Sequence, residues 1–249
     1  MRVIGVIPSR WGSTRFPGKS LHPLCGKPLI QWVVEAATRA TLLDEVLVAT
    51  DDERIARAAE GFAAVVMTRP DHPSGTDRVA EAARAAKGDI VVNIQGDEPL
   101  IDPDLIDALV RRLRDDPGWA MATAASPIRS LTELESRNVV KVVVAHDGGA
   151  LYFSRLPIPC RRDGEPDLAS GLYLHHVGLY AYRGAFLRRL VTEPPCALEQ
   201  CESLEQLRAL YLGGRIAVIL TGEQGLGIDT PADAVAVEAI LKERGQAQQ

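Results

Sequence analysis

Cysteine is scarce in this chain, whose 249 residues include only four, and no two of them are spaced as Cys-x-x-Cys. Only Cys196 and Cys201 lie near each other in the sequence. Cysteines paired at short spacing are typical of structural zinc sites and of the disulfide frameworks of small secreted domains. Because such pairs are missing, we expect four ordinary thiols, as in a protein of the reducing cytoplasm.

The chain also lacks long apolar segments and an excess of positive charge. Its first apolar run covers only residues 3–7, which is too short for the core of a signal peptide or for a membrane span. The formal net charge is −5, whereas nucleic acids and membrane surfaces are themselves anionic. We therefore expect a cytoplasmic protein with neither nucleic acid nor membrane as a partner.

Short β-branched segments alternate with amphipathic, alanine-rich segments through the first half of the chain. Predicted strands cover 3–7, 45–49, 64–67, 90–94 and 121–125, and predicted helices cover 29–39, 52–60, 77–86 and 103–114. Strands and helices that alternate at this spacing form βαβ units, in which helices cover both faces of a parallel sheet. The sequence thus predicts an α/β fold with a mainly parallel sheet.

The alternation breaks after about Pro127. His-Asp-Gly-Gly at 146–149 separates two β-rich segments and indicates a hairpin. A strand at 173–182 and helices at 185–191 and 202–212 follow, before a strand at 216–220 and a helix at 231–244 restore the earlier pattern. We predict one domain, residues 1–249, with an inserted lobe at about 138–211.

A basic loop that contains glycine leaves the first strand and runs from Pro8 to Lys19. In a parallel sheet, ligands bind beyond the carboxyl ends of the strands, where this loop lies. Its three cations, Arg10, Arg15 and Lys19, suit an anion as highly charged as a triphosphate, and its glycines allow close approach of the backbone. The alternative is a basic loop that faces solvent and binds nothing.

Two common nucleotide-binding motifs are absent from this part of the sequence. The segment from Gly12 to Ser20 ends in Gly-Lys-Ser like a P-loop, but five residues separate its glycines where that motif has four. Pro17 also removes an amide that would bind phosphate. No Gly-x-Gly-x-x-Gly follows the first strand, which excludes a nicotinamide-binding module.

Two aspartates occur at positions that suit a metal ion. Asp97 follows the strand at 90–94 and so lies at the same edge of the sheet as the first loop. Asp229 precedes a helix predicted to start at Pro231 with Thr230 as its N-cap. Two carboxylates beside a triphosphate suit Mg²⁺. Simpler interpretations are that Asp97 belongs to an ordinary turn and that Asp229 caps the helix.

Six segments together carry a resemblance to a known family. They are the first loop with its continuation GKPLIQWVVEAA (26–37), HPSGTDR (72–78), IQGDEP (94–99), HVGLY (176–180), LEQCESLEQLR (198–208) and GIDTPAD (227–233). They resemble the sugar-acid cytidylyltransferases, and among these the enzymes for 3-deoxy-D-manno-octulosonate (Kdo). The resemblance covers nearly the whole chain. It implies a Rossmann-like nucleotidyltransferase fold, similar to glycosyltransferase A, with a mixed, mainly parallel sheet.

The resemblance also implies an activity and a role for each matched residue. It implies that CTP and Kdo give CMP-Kdo and pyrophosphate for lipopolysaccharide biosynthesis, in a Mg²⁺-dependent homodimer. The implied catalytic residues are Arg10, Arg15, Lys19, Asp97 and Asp229, of which the two aspartates hold the metal. The implied CTP ligands are Pro8, Ser9, Arg10, Ser13, Lys19, Ser74, Gly75, Arg78 and Gln95. The implied sugar ligands are Arg15, Gln95, Arg155, His176, Tyr180, Glu205 and Gln206.

Several of these residues also have a structural interpretation. Ser74 is placed to cap a helix, a role that it could combine with nucleotide binding. His175 and His176 would point to opposite faces of a strand, and a single histidine on a strand is commonly structural. Arg155 at a strand end suits bidentate binding of a carboxylate.

Two other functions stay open at the level of sequence. One is a cytidylyltransferase for a different acid sugar, such as a sialic acid or 8-amino-Kdo. The other is a regulator that binds a nucleotide on the same fold without catalysis. The second would be signalled by loss of Asp97 or Asp229, and both are present.

Overall fold

The computed structural model describes residues 1–12, 16–222 and 225–246, which form two compact units. The first unit comprises residues 1–107 and the C-terminal segment from 225, and the second comprises residues 108–224. The predicted lobe at 138–211 falls inside the second unit, which starts earlier and ends later in the sequence. The assignment of the whole chain to one domain stays a prediction.

The first unit contains the predicted alternation of strands and helices. In chain order its elements are β1 (Val3–Ser9), β2 (Pro23–Leu24), β3 (Lys27–Pro28), α1 (Leu29–Thr38), β4 (Glu45–Thr50), α2 (Glu53–Ala59), β5 (Ala64–Met67), α3 (Gly75–Ala86), β6 (Ile90–Asn93) and α4 (Pro103–Asp115). A turn of 3₁₀ helix, Lys19–Leu21, precedes β2. Helix α4 continues into the second unit.

The strands of the first unit confirm the predicted parallel sheet. Their order is β6-β1-β4-β5, and every neighbouring pair is parallel. Val3, Ile4, Val6 and Ile7 of β1 are fully buried, as expected for an inner strand covered on both faces. Because the strands are parallel, their carboxyl ends meet at one edge, and the loops that follow them can form a site there.

The second unit combines a mixed sheet with short helices. Its elements are β7 (Met121–Pro127), α5 (Leu131–Glu135), β8 (Lys141–Val144), β9 (Ala150–Ser154), β10 (Leu174–Arg183), α6 (Gly184–Thr192), α7 (Ala197–Glu202), α8 (Gln206–Tyr211) and β11 (Ile216–Leu220). The last described element, α9 (Pro231–Gln246), belongs to the first unit. Within the described part of the chain, no helix is both long and apolar enough to cross a membrane.

Antiparallel pairing distinguishes the second unit from the first. Strand β7 pairs with β11 in parallel and with β10 antiparallel, and β8 pairs antiparallel with both β10 and β9. The pair β8-β9 is the hairpin predicted from residues 146–149. Its turn contains Gly148 with φ 84°, a conformation that glycine adopts without steric cost.

The predicted helix at 202–212 is wrong at its start. Helix α7 ends at Glu202, and α8 begins only at Gln206. Ser203 between them has φ 52°, a left-handed conformation that ends a helix. The break depends on contacts with Arg155 that are distant in sequence and are described below.

Candidate active site

A cavity of about 390 Å³ lies at the carboxyl edge of the first unit's sheet. Its volume is in the usual range for small-molecule sites. The lining residues are Pro8, Ser9, Arg10, Lys19, Ser20, His72, Pro73, Ser74, Gly75, Arg78, Gln95, Gly96, Asp97 and Asp229. Every predicted nucleotide or metal ligand that the structure describes is among them. Ser13 and Arg15, also predicted ligands, lie outside the described residues, and all these roles stay predictions.

Lys19 lies between the two aspartates predicted to bind metal. Its Nζ is 2.5 Å from Asp97 Oδ2 and 3.4 Å from Asp229 Oδ1, and it also donates to the carbonyl of Ile228 at 3.0 Å. The backbone N–H of Ile228 donates to the carbonyl of Asp97 at 2.9 Å, which joins the loop after β6 to the segment before α9. The fold thus places two carboxylates around one positive charge.

The donors around this charge fit the predicted Mg²⁺. Carboxylate oxygens are the hard ligands that Mg²⁺ prefers, and protein sites commonly supply one or two of them while phosphates and water complete the shell. Across residues 1–12, 16–222 and 225–246, no group of three or more histidine, cysteine, aspartate or glutamate side chains is arranged to hold a metal. Asp97 and Asp229 therefore suit a metal ion that phosphate oxygens also bind. They suit less well a metal ion that protein side chains alone would hold.

Asp229 is separate from the cap of the helix that follows it. Thr230 Oγ1 accepts from the N–H of Asp233 at 3.3 Å, and Asp233 Oδ2 accepts from the N–H groups of Asp229 and Thr230 at 3.0 and 2.8 Å. This confirms Thr230 as a capping residue. Because the capping is done by Thr230 and Asp233, the Asp229 carboxylate can face Lys19.

Glu98 has quite different surroundings from its neighbour Asp97. It does not line the cavity, and its Oε2 is buried without a hydrogen-bond partner among the described residues. Burial and the charge of Asp97 raise the pKa of Glu98 to about 7. Its carboxyl packs against Gly225, where an added Cβ would lie 3.2 Å from Oε2. Of these two neighbouring acids, Asp97 therefore lines the cavity and Glu98 is buried in the interior.

Close backbone contacts fix the loops around the cavity. An added Cβ on Gly96 would lie 2.9 Å from the carbonyl oxygen of Pro8, so only glycine lets these two loops approach so closely. Gly18 has φ 68° and packs under the ring of Trp11. Ser9 Oγ donates to Ser20 Oγ at 2.7 Å, which ties the end of β1 to the turn that carries Lys19.

The start of α3 forms another wall of the cavity. Ser74 is the N-cap of this helix, and its Oγ accepts from the N–H of Asp77 at 3.2 Å, which confirms the predicted capping role. Arg78 is buried and donates to Asp51 Oδ2 at 3.0 Å and to Thr68 Oγ1. The helix start therefore presents a rigid set of donors.

His72 also lines the cavity, although it was not among the predicted ligands. Its Nε2 contacts Glu81 Oε2, and its side chain is almost completely buried. The HPSGTDR segment could have suggested a lining position, since Ser74 and Gly75 in the same segment were predicted ligands. The contact with Glu81 gives His72 a hydrogen-bonding role that joins this segment to α3.

The predicted sugar ligands His176, Tyr180, Glu205 and Gln206 belong to the second unit. His176 is buried, and its ring lies 5.4 Å from that of Tyr180. Burial, with a smaller effect of His175, lowers the pKa of His176 to about 3, so this ring is neutral. Burial and the nearby Glu205 raise the pKa of Tyr180 above its ordinary value, so the phenol keeps its proton.

His175 points away from its neighbour, as alternation along a strand predicts. Its Nδ1 lies 3.5 Å from Glu133 Oε1, whereas His176 Nε2 contacts Thr123 Oγ1. The two histidines therefore have separate environments, and the predicted assignment of His176 rather than His175 to the sugar stays a prediction.

Arg155 binds protein backbone through its whole guanidinium. Nε donates to the carbonyl of Glu202 at 2.7 Å, and the two terminal nitrogens donate to the carbonyls of Arg137 at 3.0 Å and Ser203 at 3.2 Å. The carbonyls of Glu202 and Ser203 follow the last turn of α7, where no helical N–H is available to them. Arg155 thus stabilises the break between α7 and α8, a role that the sequence did not indicate.

We expect the Arg155→Lys variant to lose about 1–3 kcal/mol of unfolding free energy, because an ammonium cannot reach three carbonyls in a planar array. Urea unfolding measures the loss. Arg161→Lys is the matched control, since exposed Arg161 donates to a single carbonyl, that of Glu165. Unchanged stability with only a weaker affinity for the sugar would mean that Arg155 is chiefly a substrate ligand.

Comparison with known proteins agrees with the geometry. A family model described as cytidylyltransferase matches residues 4–216. The 3-deoxy-manno-octulosonate cytidylyltransferase of Bdellovibrio bacteriovorus is 51% identical over 247 residues, covering 98% of this chain and 100% of that protein. The protein of the same name from Pelobacter propionicus is 53% identical over 243 residues, covering 94% and 95%.

Solved structures show the same fold. A CMP:2-keto-3-deoxy-manno-octonic acid synthetase complexed with CTP matches with a TM-score of 0.93 and 43% identity, covering 98% of this chain and 100% of that one. A 4-diphosphocytidyl-2C-methyl-D-erythritol synthase from Anaerococcus prevotii matches with a TM-score of 0.64 and 13% identity, covering 97% and 98%. The second likeness bears on the fold alone.

Proposed function

The chain belongs to the cytidylyltransferase family, and on that premise we propose that it converts CTP and Kdo to CMP-Kdo and pyrophosphate. The observation that carries this proposal is the cavity in which Lys19 lies between Asp97 and Asp229. The relatives named for this sugar, at about half identity over nearly full length, support Kdo as the acceptor. The solved synthetase in complex with CTP supports the nucleotide.

In the proposed reaction the anomeric oxygen of Kdo attacks the α-phosphorus of CTP. A new O–P bond forms as the bond to the β-phosphate oxygen breaks, pyrophosphate leaves with the electron pair, and the hydroxyl proton passes to solvent. Arg10 and Lys19 line the cavity and neutralise the charge that accumulates on the leaving pyrophosphate. Holding both reactants in one geometry supplies much of the remaining rate acceleration.

Asp97 and Asp229 would hold the proposed Mg²⁺ cofactor. An ion held there would neutralise phosphate charge and make the attacking sugar hydroxyl more acidic. In the protein by itself, Lys19 satisfies both carboxylates. The two carboxylates are therefore already held on either side of one cation before any ligand arrives.

The surroundings of the nucleotide and of the sugar follow from the residue chemistry. Ser74, Gly75 and Arg78 at the start of α3 offer backbone, hydroxyl and cationic donors to the nucleotide, and Gln95 offers an amide. In the second unit His176, Tyr180, Glu205 and Gln206 offer neutral and acidic groups suited to sugar hydroxyls.

We propose further that the enzyme serves lipopolysaccharide biosynthesis in the cytoplasm.

We also propose that the chain forms a homodimer. Several large apolar side chains of the second unit are exposed, among them Leu151 at 60% and Tyr211 at 69%. Exposed apolar side chains of this size are favoured in contacts between subunits.

The test is pyrophosphate release from CTP with Mg²⁺ in the presence of Kdo, 8-amino-Kdo, N-acetylneuraminate or no sugar. We expect release that depends on Kdo and requires Mg²⁺. Release with N-acetylneuraminate or 8-amino-Kdo but not Kdo would retain the cytidylyltransferase and overturn the proposed sugar. CTP binding without release for any sugar would instead support the regulator.

A further inference from the structure

The hydroxyl of Thr123 in β7 lies within hydrogen-bond distance of three polar atoms of β10. Its Oγ1 lies 2.9 Å from the carbonyl oxygen of Leu179, 3.2 Å from that of Val177 and 3.0 Å from Nε2 of His176. Thr123 and Leu179 are fully buried, and His176 is nearly so. Because these groups are buried, the protein itself determines which of the atoms donates in each hydrogen bond.

An irregularity in β10 creates this arrangement. Val177 pairs with Ala124 and Tyr180 pairs with Thr123, so the strand contains two extra residues, 178 and 179, between consecutive pairs. A bulge of this kind redirects backbone groups and side chains locally. Here it brings two carbonyls of the same strand to the Thr123 hydroxyl.

The number of protons determines which group donates. Thr123 has one hydroxyl hydrogen, and the carbonyls of Val177 and Leu179 can only accept. That hydrogen is therefore directed to the carbonyls, and Thr123 Oγ1 accepts from His176. Nε2 of His176 must then carry the hydrogen, which in a neutral ring leaves Nδ1 with a lone pair.

Aromatic contacts hold the ring of His176 in this orientation. The ring of Phe153 meets it edge-on at 5.0 Å with an interplanar angle of 79°, and the ring of Tyr180 lies 5.4 Å away. Burial lowers the pKa of His176 to about 3, so the second ring nitrogen stays unprotonated near neutral pH. These contacts restrain the orientation of the ring, and burial keeps it neutral.

We propose that Thr123 is a positioning residue that fixes His176 as the Nε2–H tautomer, so that His176 presents Nδ1 as a hydrogen-bond acceptor to a hydroxyl of the acid sugar. The identity of that sugar as Kdo rests on the proposed function. A neutral acceptor selects a hydroxyl, which can donate, and disfavours a carboxylate, which cannot. His176 therefore accepts a hydrogen bond from a hydroxyl of the substrate. The carboxylate of the substrate is bound by cationic groups instead.

The test combines histidine ¹⁵N spectra with steady-state kinetics. Long-range ¹H–¹⁵N correlation distinguishes the two neutral tautomers, and the chain has only five histidines. The His176 signals are assigned by their loss in His176→Gln. Spectra at neutral pH are compared for the wild type, Thr123→Val and Thr123→Ser. Thr192→Val is the control, because the Thr192 hydroxyl bonds the carbonyls of Arg188 and Arg189 in its own helix.

We expect the Nε2–H tautomer in the wild type and in Thr123→Ser, and a mixture of tautomers in Thr123→Val. The KM for Kdo should rise about three- to tenfold in Thr123→Val, as expected for one uncharged hydrogen bond, while the KM for CTP stays within about twofold. Thr123→Ser and Thr192→Val should leave both values near those of the wild type.

Two results would overturn the proposal. One is an Nδ1–H tautomer in the wild type, which needs no variant and is decisive even if Thr123→Val fails to fold. The other is an unchanged Nε2–H tautomer in folded Thr123→Val. The spectra need no sugar, so failure of this inference is separate from failure of the proposed function, which wild-type pyrophosphate release tests.

Discussion

We expect replacement of Asp97 by asparagine to lower Kdo-dependent pyrophosphate release on the order of a thousandfold. The substitution keeps the shape of the side chain and removes the negative charge that faces Lys19 Nζ at 2.5 Å. An uncharged amide is a poor ligand for Mg²⁺, and losing a metal that neutralises phosphate charge costs several kcal/mol in the transition state. The measurement is kcat/KM with Kdo over a range of Mg²⁺ concentrations.

The matched control for this variant lies at the other end of the same strand. Asp89 precedes β6 and is exposed, with its carboxylate accepting from the N–H of Arg2. We expect Asp89→Asn to keep activity within about twofold, because exposed changes away from the site have small effects. If Asp97→Asn also stayed within tenfold of the wild type, the assignment of Asp97 to the metal would be wrong.

The second large effect is expected for Lys19→Met, which should lower kcat/KM for CTP about a hundredfold or more. Methionine keeps an unbranched side chain but removes the charge that would stabilise the leaving pyrophosphate. It also removes the counter-charge of Asp97 and Asp229, which leaves two carboxylates facing each other in one cavity. Steady-state kinetics with CTP as the varied substrate measure the change.

Lys27→Met is the corresponding control. Lys27 lies in β3, pairs with Glu35 at 2.8 Å and is not among the residues that line the cavity. Near-normal kinetics are expected for it. Equal losses in Lys19→Met and Lys27→Met would point to a general effect of charge on CTP association, and a normal Lys19→Met would exclude Lys19 from catalysis.

Local sequence was sufficient for the parallel part of the fold. In the first unit, β-branched runs and amphipathic segments alternate, and each element satisfies its own backbone or pairs with a similar neighbour. The edge where Lys19 and Asp97 meet follows from the same logic, because parallel strands place their carboxyl ends together. The family resemblance drawn from those motifs is confirmed by the family model.

Sequence was insufficient where contacts between distant residues decide the conformation. Residues 202–212 have helical periodicity, yet Arg155, 48 positions from Ser203, binds the carbonyls exposed by the break. The lobe at 138–211 stays a prediction, and the pairing of β7 with β11 outside that range in the compact second unit is likewise a contact between distant residues. A local pattern contains no information about such partners.

The sequence by itself therefore determined the α/β class, the basic first loop and the acids that follow the strands, because these depend on periodicity and on residue chemistry at strand ends. Tertiary structure alone decided that Lys19 bridges Asp97 and Asp229, which are 78 and 210 positions away from it. It also decided that Thr123 Oγ1 meets Nε2 of His176, through a bulge that shifts the register of β10. Both depend on distances between side chains that only the folded chain brings together.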